Sequence, residues 1–514
     1  MSNEVSELYQ MKKLLLYHIL LVGAIACTSQ QHNQGSDEVD RLTQYESNWE
    51  SLSAHNEAPE WFQDAKLGIY FHWGIYSVPA FGNEWYPYHM YLEGSDAWHH
   101  HRAKYGDQSE FGYHHFIPQF TAEYFDAKEW VSLFRQSGAR FAGPVAQHHD
   151  GFAMWASKIN PWNSSDMGPK RDITGELATA IRANDMKLIT TFHHARNLQR
   201  YKGQKPGFAS HFIYSEKWHT ASKDSMLSKL YGNVDEQWFE QYWYDQIDEV
   251  VQAYSPDIIW FDSWLNFIPE KKRQEMVANY LNYALKRDQE VVIAYKQNDL
   301  PSNVGVLDIE QGGRRDVSPE PWMTDITISM ESWCYVEGQT YKPTAMVIRN
   351  LIDVVSKNGI VLLNLSPKAD GSIPEGQRKV LAEMGQWFEK NGEAIFDTRP
   401  WIMYGFGSAQ AGQGSHGGQT ATVEYSADDI RFTRSKDGKT LYMIFLGMPS
   451  HGWSDHFRLL ADQRYFPEGS IKKVSLLSTG ESVNHKLDGW GFSVEINSGT
   501  KLDSIANVVK IEME

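Results

Sequence analysis

Cysteine is almost absent from this sequence of 514 residues. Only Cys27 and Cys334 occur, so a scaffold held together by several disulfides is excluded. Cys27 ends an apolar N-terminal segment, which leaves Cys334 as a lone thiol. We interpret Cys334 as a small buried hydrophobic residue.

Basic residues are also scarce relative to acidic ones. The 48 lysine and arginine residues and the 65 aspartate and glutamate residues give a net charge of −17. No basic run supplies the contacts that a phosphate backbone requires, so we exclude nucleic acid as a partner. The charge balance still allows a local basic pocket for an anionic sugar.

No apolar run reaches the ~20 residues of a membrane-spanning helix. The run at residues 14–26 follows Lys12-Lys13 and precedes Cys27. This pattern resembles a bacterial lipoprotein signal, with Met11 as an alternative start. The motif Ala24-Ile25-Ala26-Cys27 lacks the usual leucine, so ordinary secretion is the alternative.

We therefore expect residues 1–27 to direct export to the periplasm or the bacterial outer surface, as a lipoprotein held to the membrane through a lipidated Cys27. Residues 28–44 are polar and lack a hydrophobic period, so they are predicted to form a flexible tether. The sequence gives no indication of the oligomeric state.

Aromatic residues, by contrast, are abundant. They make up 13% of the chain and include 19 tryptophans and 26 tyrosines. Such an excess serves either core packing or the binding of carbohydrate, whose C–H faces stack on tryptophan. Composition alone does not decide between these two uses.

Short apolar runs alternate with helical periodicities from about Trp49 to Asn391. Residues 235–253, 344–356 and 377–390 have the apolar spacing of helices. Buried strands are predicted at residues 67–71, 141–146, 187–192, 258–261, 291–295, 304–309 and 360–365. Strands that alternate with helices indicate a parallel sheet, and the length favours a closed (β/α)8-like TIM barrel over residues 45–397.

The pattern of apolar and polar residues changes at about Thr398. Asp437-Gly438, between alternating apolar residues, is a strong hairpin signal. Further strands are predicted at residues 470–477, 491–496 and 507–513. We therefore predict an α/β fold in which a C-terminal antiparallel β-sandwich, residues 398–514, follows the barrel.

Polar residues follow the predicted barrel strands at corresponding positions. They are His72, then His148-His149-Asp150, His193-His194, Asp262, Lys296 and Glu310. Because the carboxyl ends of barrel strands meet at one rim, we expect these side chains to form one polar pocket.

Two chemistries suit such a pocket. The histidine pairs invite a metal, but adjacent residues on an extended segment point in opposite directions, and the sequence has neither an HExxH helix nor a cysteine pair. Retaining glycoside cleavage instead needs an ionised carboxylate and a protonated carboxyl about 5.5 Å apart. Asp262, between Trp260 and Trp264, suits the first role and Glu310 the second. We expect neither a metal nor another cofactor.

The chain resembles the α-L-fucosidases of glycoside hydrolase family 29. Five motifs carry the resemblance in family order from about residue 55 to 400: Leu67 to Ser77, Glu84-Trp85-Tyr86, His148 to Phe152, Trp260-Phe261-Asp262 and Leu362 to Gly371. The family's barrel and β-sandwich agree with the organisation expected from the chain itself.

The resemblance implies that Asp262 is the nucleophile of a retaining, exo-acting α-L-fucosidase that releases terminal fucose from oligosaccharides or fucans by double displacement. It places six residues at fucose-binding positions: His72, Glu84, Trp85, His148, His149 and Trp260. By its offset Glu310 is the expected acid/base, with Glu320 and Glu331 as rivals.

Lys296 stands where many members carry arginine, and we expect it to hold a substrate hydroxyl differently. Together with Arg314-Arg315 it is also a hypothetical site for a sulfated sugar. The alternatives to the fucosidase are an inactive fucoside-binding surface protein and a related α-glycosidase that acts on a different sugar.

Overall fold

The computed structural model of the protein describes residues 45–200, 210–409, 423–455, 457–462 and 469–514. The export signal, Cys27 and the tether at residues 28–44 lie outside this part of the chain and stay predictions. Among the helices of the described part, none has both the length and the apolar character needed to cross a membrane.

Eight parallel strands close into a barrel in sequence order, because β1 pairs with both β2 and β8. The strands are β1 (Leu67–Phe71), β2 (Phe141–Gln147), β3 (Lys187–Phe192), β4 (Ile258–Phe261), β5 (Val292–Lys296), β6 (Val306–Asp308), β7 (Trp322–Thr327) and β8 (Gly359–Leu365). Most of their residues are buried on both faces, since side chains fill the barrel interior and helices cover its outside.

The helices that accompany the barrel follow from their sequences. They are Trp49–Leu52, Glu60–Ala65, Tyr86–His89, Asp96–Lys104, Ala127–Gln136, Ile173–Ala183, Leu227–Leu230, Glu236–Tyr254, Glu270–Leu285, Thr344–Ser356 and Glu375–Asn391. The helix Ala127–Gln136 is representative. Asp126 caps its first turn by accepting from the backbone of Lys128 and Glu129, and Trp130 and Phe134 are buried.

Two antiparallel sheets follow the barrel. Their strands are β9 (Thr398–Phe406), β10 (Ile430–Ser435), β11 (Thr440–Phe445), β12 (Gly452–Trp453), β13 (Ile471–Leu476), β14 (Asn484–Asp488), β15 (Gly491–Ile496) and β16 (Asn507–Met513). The sheet orders are β13-β16-β11-β10-β9 and β12-β15-β14. Phe432 and Leu441 of the first sheet share one core with Phe492 and Val494 of the second, which is the packing of a β-sandwich.

The predicted fold class, a TIM barrel followed by a β-sandwich, is confirmed. The hairpin predicted at Asp437-Gly438 joins β10 to β11, and Gly438 has a φ of 74° that suits glycine. Three strands of the sandwich, β9, β12 and β14, and the barrel strand β7 were not predicted. The last barrel helix ends at Asn391 and β9 begins at Thr398.

Arg431 on β10 joins the sandwich to the barrel. Its fully buried guanidinium donates to Asp353 at 2.5 Å, and Asp353 belongs to the barrel helix Thr344–Ser356. Lys357 lies 2.8 Å from the same carboxylate. Arg431 also donates to the carbonyls of Phe406 and Ala409 at 2.9 and 3.0 Å. Loss of the guanidinium therefore leaves several buried acceptors without a donor.

We expect Arg431→Met to lower the free energy of unfolding by about 3–5 kcal/mol, because it breaks a buried ion pair from one side. Urea unfolding monitored by circular dichroism measures this change. Arg434→Met on the same strand, at an exposed position, is the matched control and should stay within about 0.5 kcal/mol of wild type. Equal unfolding midpoints for the two variants would contradict the assigned role of Arg431.

Candidate active site

A cavity of about 280 Å³ opens at the carboxyl ends of the barrel strands. All nine residues predicted to act in catalysis or substrate binding line it: His72, Glu84, Trp85, His148, His149, Trp260, Asp262, Lys296 and Glu310. Of the two rival acids, Glu320 is exposed, and Glu331 accepts hydrogen bonds from Thr340. Neither lines the cavity.

Asp262 follows the last residue of β4, and its backbone donates to the Phe192 carbonyl on β3 at 3.2 Å. One carboxylate oxygen, Oδ1, is 3.2 Å from Nζ of Lys296. The other, Oδ2, is 3.1 Å from Nε2 of His149 and 3.5 Å from Nδ1 of His193. Burial would raise the pKa of Asp262, but Lys296 and the two histidines hold it well below its usual range. Asp262 is therefore ionised at neutral pH.

Glu310 lies two residues beyond β6 and approaches the same lysine. Its Oε2 accepts from Nζ of Lys296 at 2.8 Å. Because Nζ is also 3.2 Å from Oδ1 of Asp262, these two oxygens can be no farther apart than the sum of the distances, about 6 Å. Inverting glycosidases separate their carboxyl groups by ~6.5–9.5 Å and retaining ones by ~5–5.5 Å. The separation fits the retaining geometry.

Histidines from β1, β2 and β3 form one wall of the cavity. Burial lowers the pKa of His72 to about 3 and that of His149 to about 4, and it lowers the pKa of His148 well below its usual value. These rings are therefore neutral. Nδ1 of His72 is 2.8 Å from Oδ1 of Asn364, which accepts only, so Nδ1 donates and Nε2 is left as an acceptor for a ligand hydroxyl.

The amide of Asn364 is itself held in one orientation. Its nitrogen donates to the Trp333 carbonyl at 2.7 Å and to the Thr327 hydroxyl at 3.3 Å. Asn364 belongs to β8, which pairs with β1 beside His72. The tautomer of His72 is thus fixed by the neighbouring strand.

Glu84 is a second carboxyl group inside the cavity. It follows Gly82-Asn83, just before the helix Tyr86–His89, and is buried. Burial, and to a smaller degree Glu310, raises the pKa of Glu84 from 4.5 to about 7. Within the described part of the chain its Oε2 makes no hydrogen bond. This oxygen is available to a bound sugar.

Aromatic rings complete the cavity wall. Trp260 on β4 faces the ring of His193 at 5.0 Å and lies 4.9 Å from Nζ of Lys296. Trp85 contacts the rings of His149 and His211 at 5.3 and 4.8 Å. Flat apolar surfaces beside neutral hydrogen-bonding groups are suited to a sugar, which has both C–H faces and hydroxyls.

Six further lining residues were not among the predicted binding or catalytic residues: His193, Arg196, Ser263, Trp264, Asp325 and Trp333. His193 carried a signal, since it follows β3 directly. Arg196 lies in the short 3-10 turn His194–Arg196, with its guanidinium over Trp85 and Trp264 at 5.1 and 5.3 Å. Asp325 carried no signal, because β7 was not recognised as a strand.

Two sets of side chains in the cavity bring potential metal-binding atoms within 4.8 Å of one another: His72, His148 and His193, and His149, His193 and Asp262. The carboxylate of the second set already faces the ammonium of Lys296. A dication there would be repelled by that ammonium. We assign neither set to a metal.

A TIM barrel with an ionised carboxylate, a second carboxyl group within about 6 Å, neutral histidines and tryptophans at its strand ends has the site of a glycoside hydrolase. Comparison with known proteins gives the family. The α-L-fucosidase family model matches residues 32–393, and the chain therefore belongs to the α-L-fucosidase family.

Individual relatives agree with this assignment. Rat tissue α-L-fucosidase is 33% identical over 374 residues, which cover 70% of this chain and 73% of that protein. Human tissue α-L-fucosidase is 29% identical, with 79% of each chain covered. The crystal structure of Thermotoga maritima α-fucosidase in complex with fucose has a TM-score of 0.70 and 29% identity, and covers 91% of this chain and all of that one.

The raised pKa of Glu84 links stability to pH. The unfolded carboxyl loses its proton near pH 4.5 and the folded one near 7. The contribution of Glu84 to the stability of the wild-type protein therefore falls as the pH rises from about 4.5 to 7, by roughly 3 kcal/mol. We expect Glu84→Gln, which has no proton to lose, to become progressively more stable than wild type across this window.

Thermal unfolding followed as a function of pH measures the difference. The gap in melting temperature should be small below pH 4.5, widen up to about pH 7 and then stay constant. Glu320→Gln, at an exposed position, is the control and should show no such trend. A constant gap for Glu84→Gln from pH 4 to 8 is incompatible with the raised pKa.

Proposed function

We propose that the chain is a retaining, exo-acting α-L-fucosidase in which Asp262 is the nucleophile and Glu310 the acid/base. The observation that carries the proposal is the shared contact of both carboxyl groups with Nζ of Lys296, at 3.2 and 2.8 Å. This contact keeps the two oxygens within about 6 Å of each other, which is compatible with the separation that double displacement uses.

In the first step the Asp262 carboxylate attacks the anomeric carbon of a terminal α-L-fucoside. The bond to the leaving oxygen breaks as Glu310 donates its proton to that oxygen. The product is an ester between the sugar and Asp262. The low pKa of Asp262 supports this role, because a nucleophile must be ionised at the working pH.

In the second step Glu310, now a carboxylate, takes a proton from water, and the hydroxide attacks the anomeric carbon. The ester breaks, Asp262 regains its charge, and L-fucose is released with its original anomeric configuration. The neutral rings of His72, His148 and His149 are assigned to the sugar hydroxyls, together with Glu84.

The size of the cavity supports exo-action. About 280 Å³ lies just below the range of pockets for drug-sized ligands, which suits one sugar ring rather than a chain. The similar Thermotoga maritima enzyme has been solved in complex with fucose and with a mechanism-based inhibitor. We therefore assign a single terminal fucose to the cavity, with the rest of the glycan outside it.

We expect Asp262→Ala to lose at least ~10³-fold in kcat on 4-nitrophenyl α-L-fucoside, because the covalent step has no nucleophile. Azide should restore turnover and give the β-L-fucosyl azide, since it attacks the substrate once with inversion. Release of 4-nitrophenol and proton NMR of the product measure both effects.

Ser263→Ala is the matched control, because Ser263 is the next residue, is buried and lines the same cavity. It should retain activity within about tenfold.

Wild-type protein should release α-L-fucose first, and initial release of the β-anomer would contradict double displacement. Saturable fucoside binding by wild type without any product would favour the inactive binding protein instead.

We expect Glu310→Ala to lose ~10²–10⁴-fold on a fucosylated disaccharide and much less on an aryl fucoside, whose leaving group needs no proton. Azide should accelerate this variant and give the α-L-fucosyl azide, because it attacks the fucosyl ester. The anomer of the azide product thus separates the two catalytic roles.

Glu320→Ala and Glu331→Ala serve as controls. Both residues lie outside the cavity lining, so both variants should keep wild-type rates and give no azide product. Azide rescue of either variant, with Glu310→Ala unaffected, would transfer the acid/base role to that residue.

A further inference from the structure

Lys296 lines the cavity but is almost completely buried. Its side chain is 2% exposed, whereas those of Asp262 and Glu310 are each 15% exposed. A sugar in the cavity therefore reaches the two carboxyl groups far more readily than the ammonium between them.

Three carboxyl groups surround the ammonium of Lys296. Nζ donates to Glu310 at 2.8 Å and to Asp325 at 3.2 Å, and it forms an ion pair with Asp262 at 3.2 Å. Two of the three N–H donors of the ammonium are therefore engaged by protein side chains, and its remaining charge faces Asp262 rather than a hydroxyl or a sulfate of the substrate.

Asp325 is held in place by a second donor besides the ammonium. Its Oδ2 accepts from Lys296 at 3.2 Å and from the Tyr70 hydroxyl at 3.0 Å. Asp325 lies on β7 and Tyr70 on β1, so two strands fix this oxygen in place. An oxygen that accepts from two donors is well suited to be a carboxylate.

Asp308 is a fourth carboxyl group near Lys296. Its carboxyl oxygen is 4.0 Å from Nζ of Lys296, beyond hydrogen-bond distance, and its side chain is fully buried. Burial, followed by the neighbouring Asp325, raises the pKa of Asp308 well above its usual range. The neutral, protonated form of Asp308 is therefore favoured over its charged form.

We infer that Lys296 and Asp325 are positioning residues. Asp325 and Tyr70 hold the ammonium at a fixed point, and the ammonium sets the separation of Asp262 and Glu310. This inference rests on the proposed function. It gives Lys296 a role behind the catalytic pair, in place of the contact with substrate expected from the sequence.

The charged and titratable groups around Lys296 come from four strands. They are Asp262 after β4, Asp308 and Glu310 on and after β6, Asp325 on β7 and Tyr70 on β1, with His72, His149, His193 and Arg196 beyond them. Loss of the Asp325 charge leaves the ammonium less compensated. Glu310, the proposed proton donor, should then lose its proton at a lower pH.

Asp325→Asn and Asp308→Asn form a matched pair, because both positions are buried, both face Lys296 and both substitutions keep the shape of the side chain. We expect Asp325→Asn to lower kcat by ~10–100-fold through misplacement of the catalytic pair, with KM within about threefold of wild type. The basic limb of its pH–rate profile should move to lower pH. Asp308→Asn should keep kcat and both limbs, since an amide replaces a group that is already neutral.

The measurements are kcat, KM and pH–rate profiles on 4-nitrophenyl α-L-fucoside, with circular dichroism and thermal unfolding to establish that both variants are folded. The inference is overturned if Asp325→Asn has the kcat and the pH–rate profile of the wild type. It is also overturned if both variants lose kcat to the same extent. A rise in KM alone in Asp325→Asn would return Lys296 to substrate binding. If Asp325→Asn does not fold, Tyr70→Phe replaces it, because this variant removes only one donor to Asp325. Tyr70→Phe should lower kcat and leave KM unchanged, and a wild-type kcat in this variant would overturn the inference.

The proposed function and this inference can be disproved by different results. If wild-type protein hydrolyses no α-L-fucoside, the function is wrong whatever the variants show. If wild type is active and the azide products of Asp262→Ala and Glu310→Ala are as expected, a normal Asp325→Asn removes only the positioning role.

Discussion

The electrostatic balance around one buried ammonium is the constraint on which the site depends. Lys296 compensates the carboxylate of Asp262, donates to the carboxyl groups of Glu310 and Asp325, and is stabilised in its buried position by these contacts. The ammonium needs these partners, because an unpaired buried charge costs several kcal/mol. The same contacts also determine where the carboxyl oxygens of Asp262 and Glu310 lie.

Closure of the barrel is what brings these charges together. Asp262, Lys296, Glu310 and Asp325 come from the ends of four consecutive strands, β4 to β7, and parallel pairing places those ends at one rim. The histidines come from β1 to β3, and two of them, His149 and His193, contact Asp262 directly. The barrel thus places neutral rings next to the charged groups in one cavity.

The sequence predicted the barrel and most of its strands. It also predicted six of the nine named site residues as members of one pocket, because an apolar run that ends in a polar residue is a local pattern; Glu84, Trp85 and Trp260 came from the resemblance to the family. Asp325 was not predicted as a site residue, because the strand Trp322–Thr327 contains an acidic residue and two threonines although it is buried throughout. The contacts of Lys296 were not predicted either. A lysine at a strand end looks the same whether it faces a ligand or several carboxyl groups. Only the three-dimensional order of the strands, with β5 between β4 and β6 and β7 next to β6, distinguishes the two.

The link through Arg431 has a consequence for how this architecture can evolve. The helix that carries Asp353 leads directly into β8, whose Asn364 fixes the tautomer of His72. The sandwich therefore supplies a counter-charge to the element that orients His72. A C-terminal unit without a cation at this position would leave Asp353 paired with Lys357 alone. Exchange of the unit is therefore easiest between chains that share the pairing of Arg431 with Asp353.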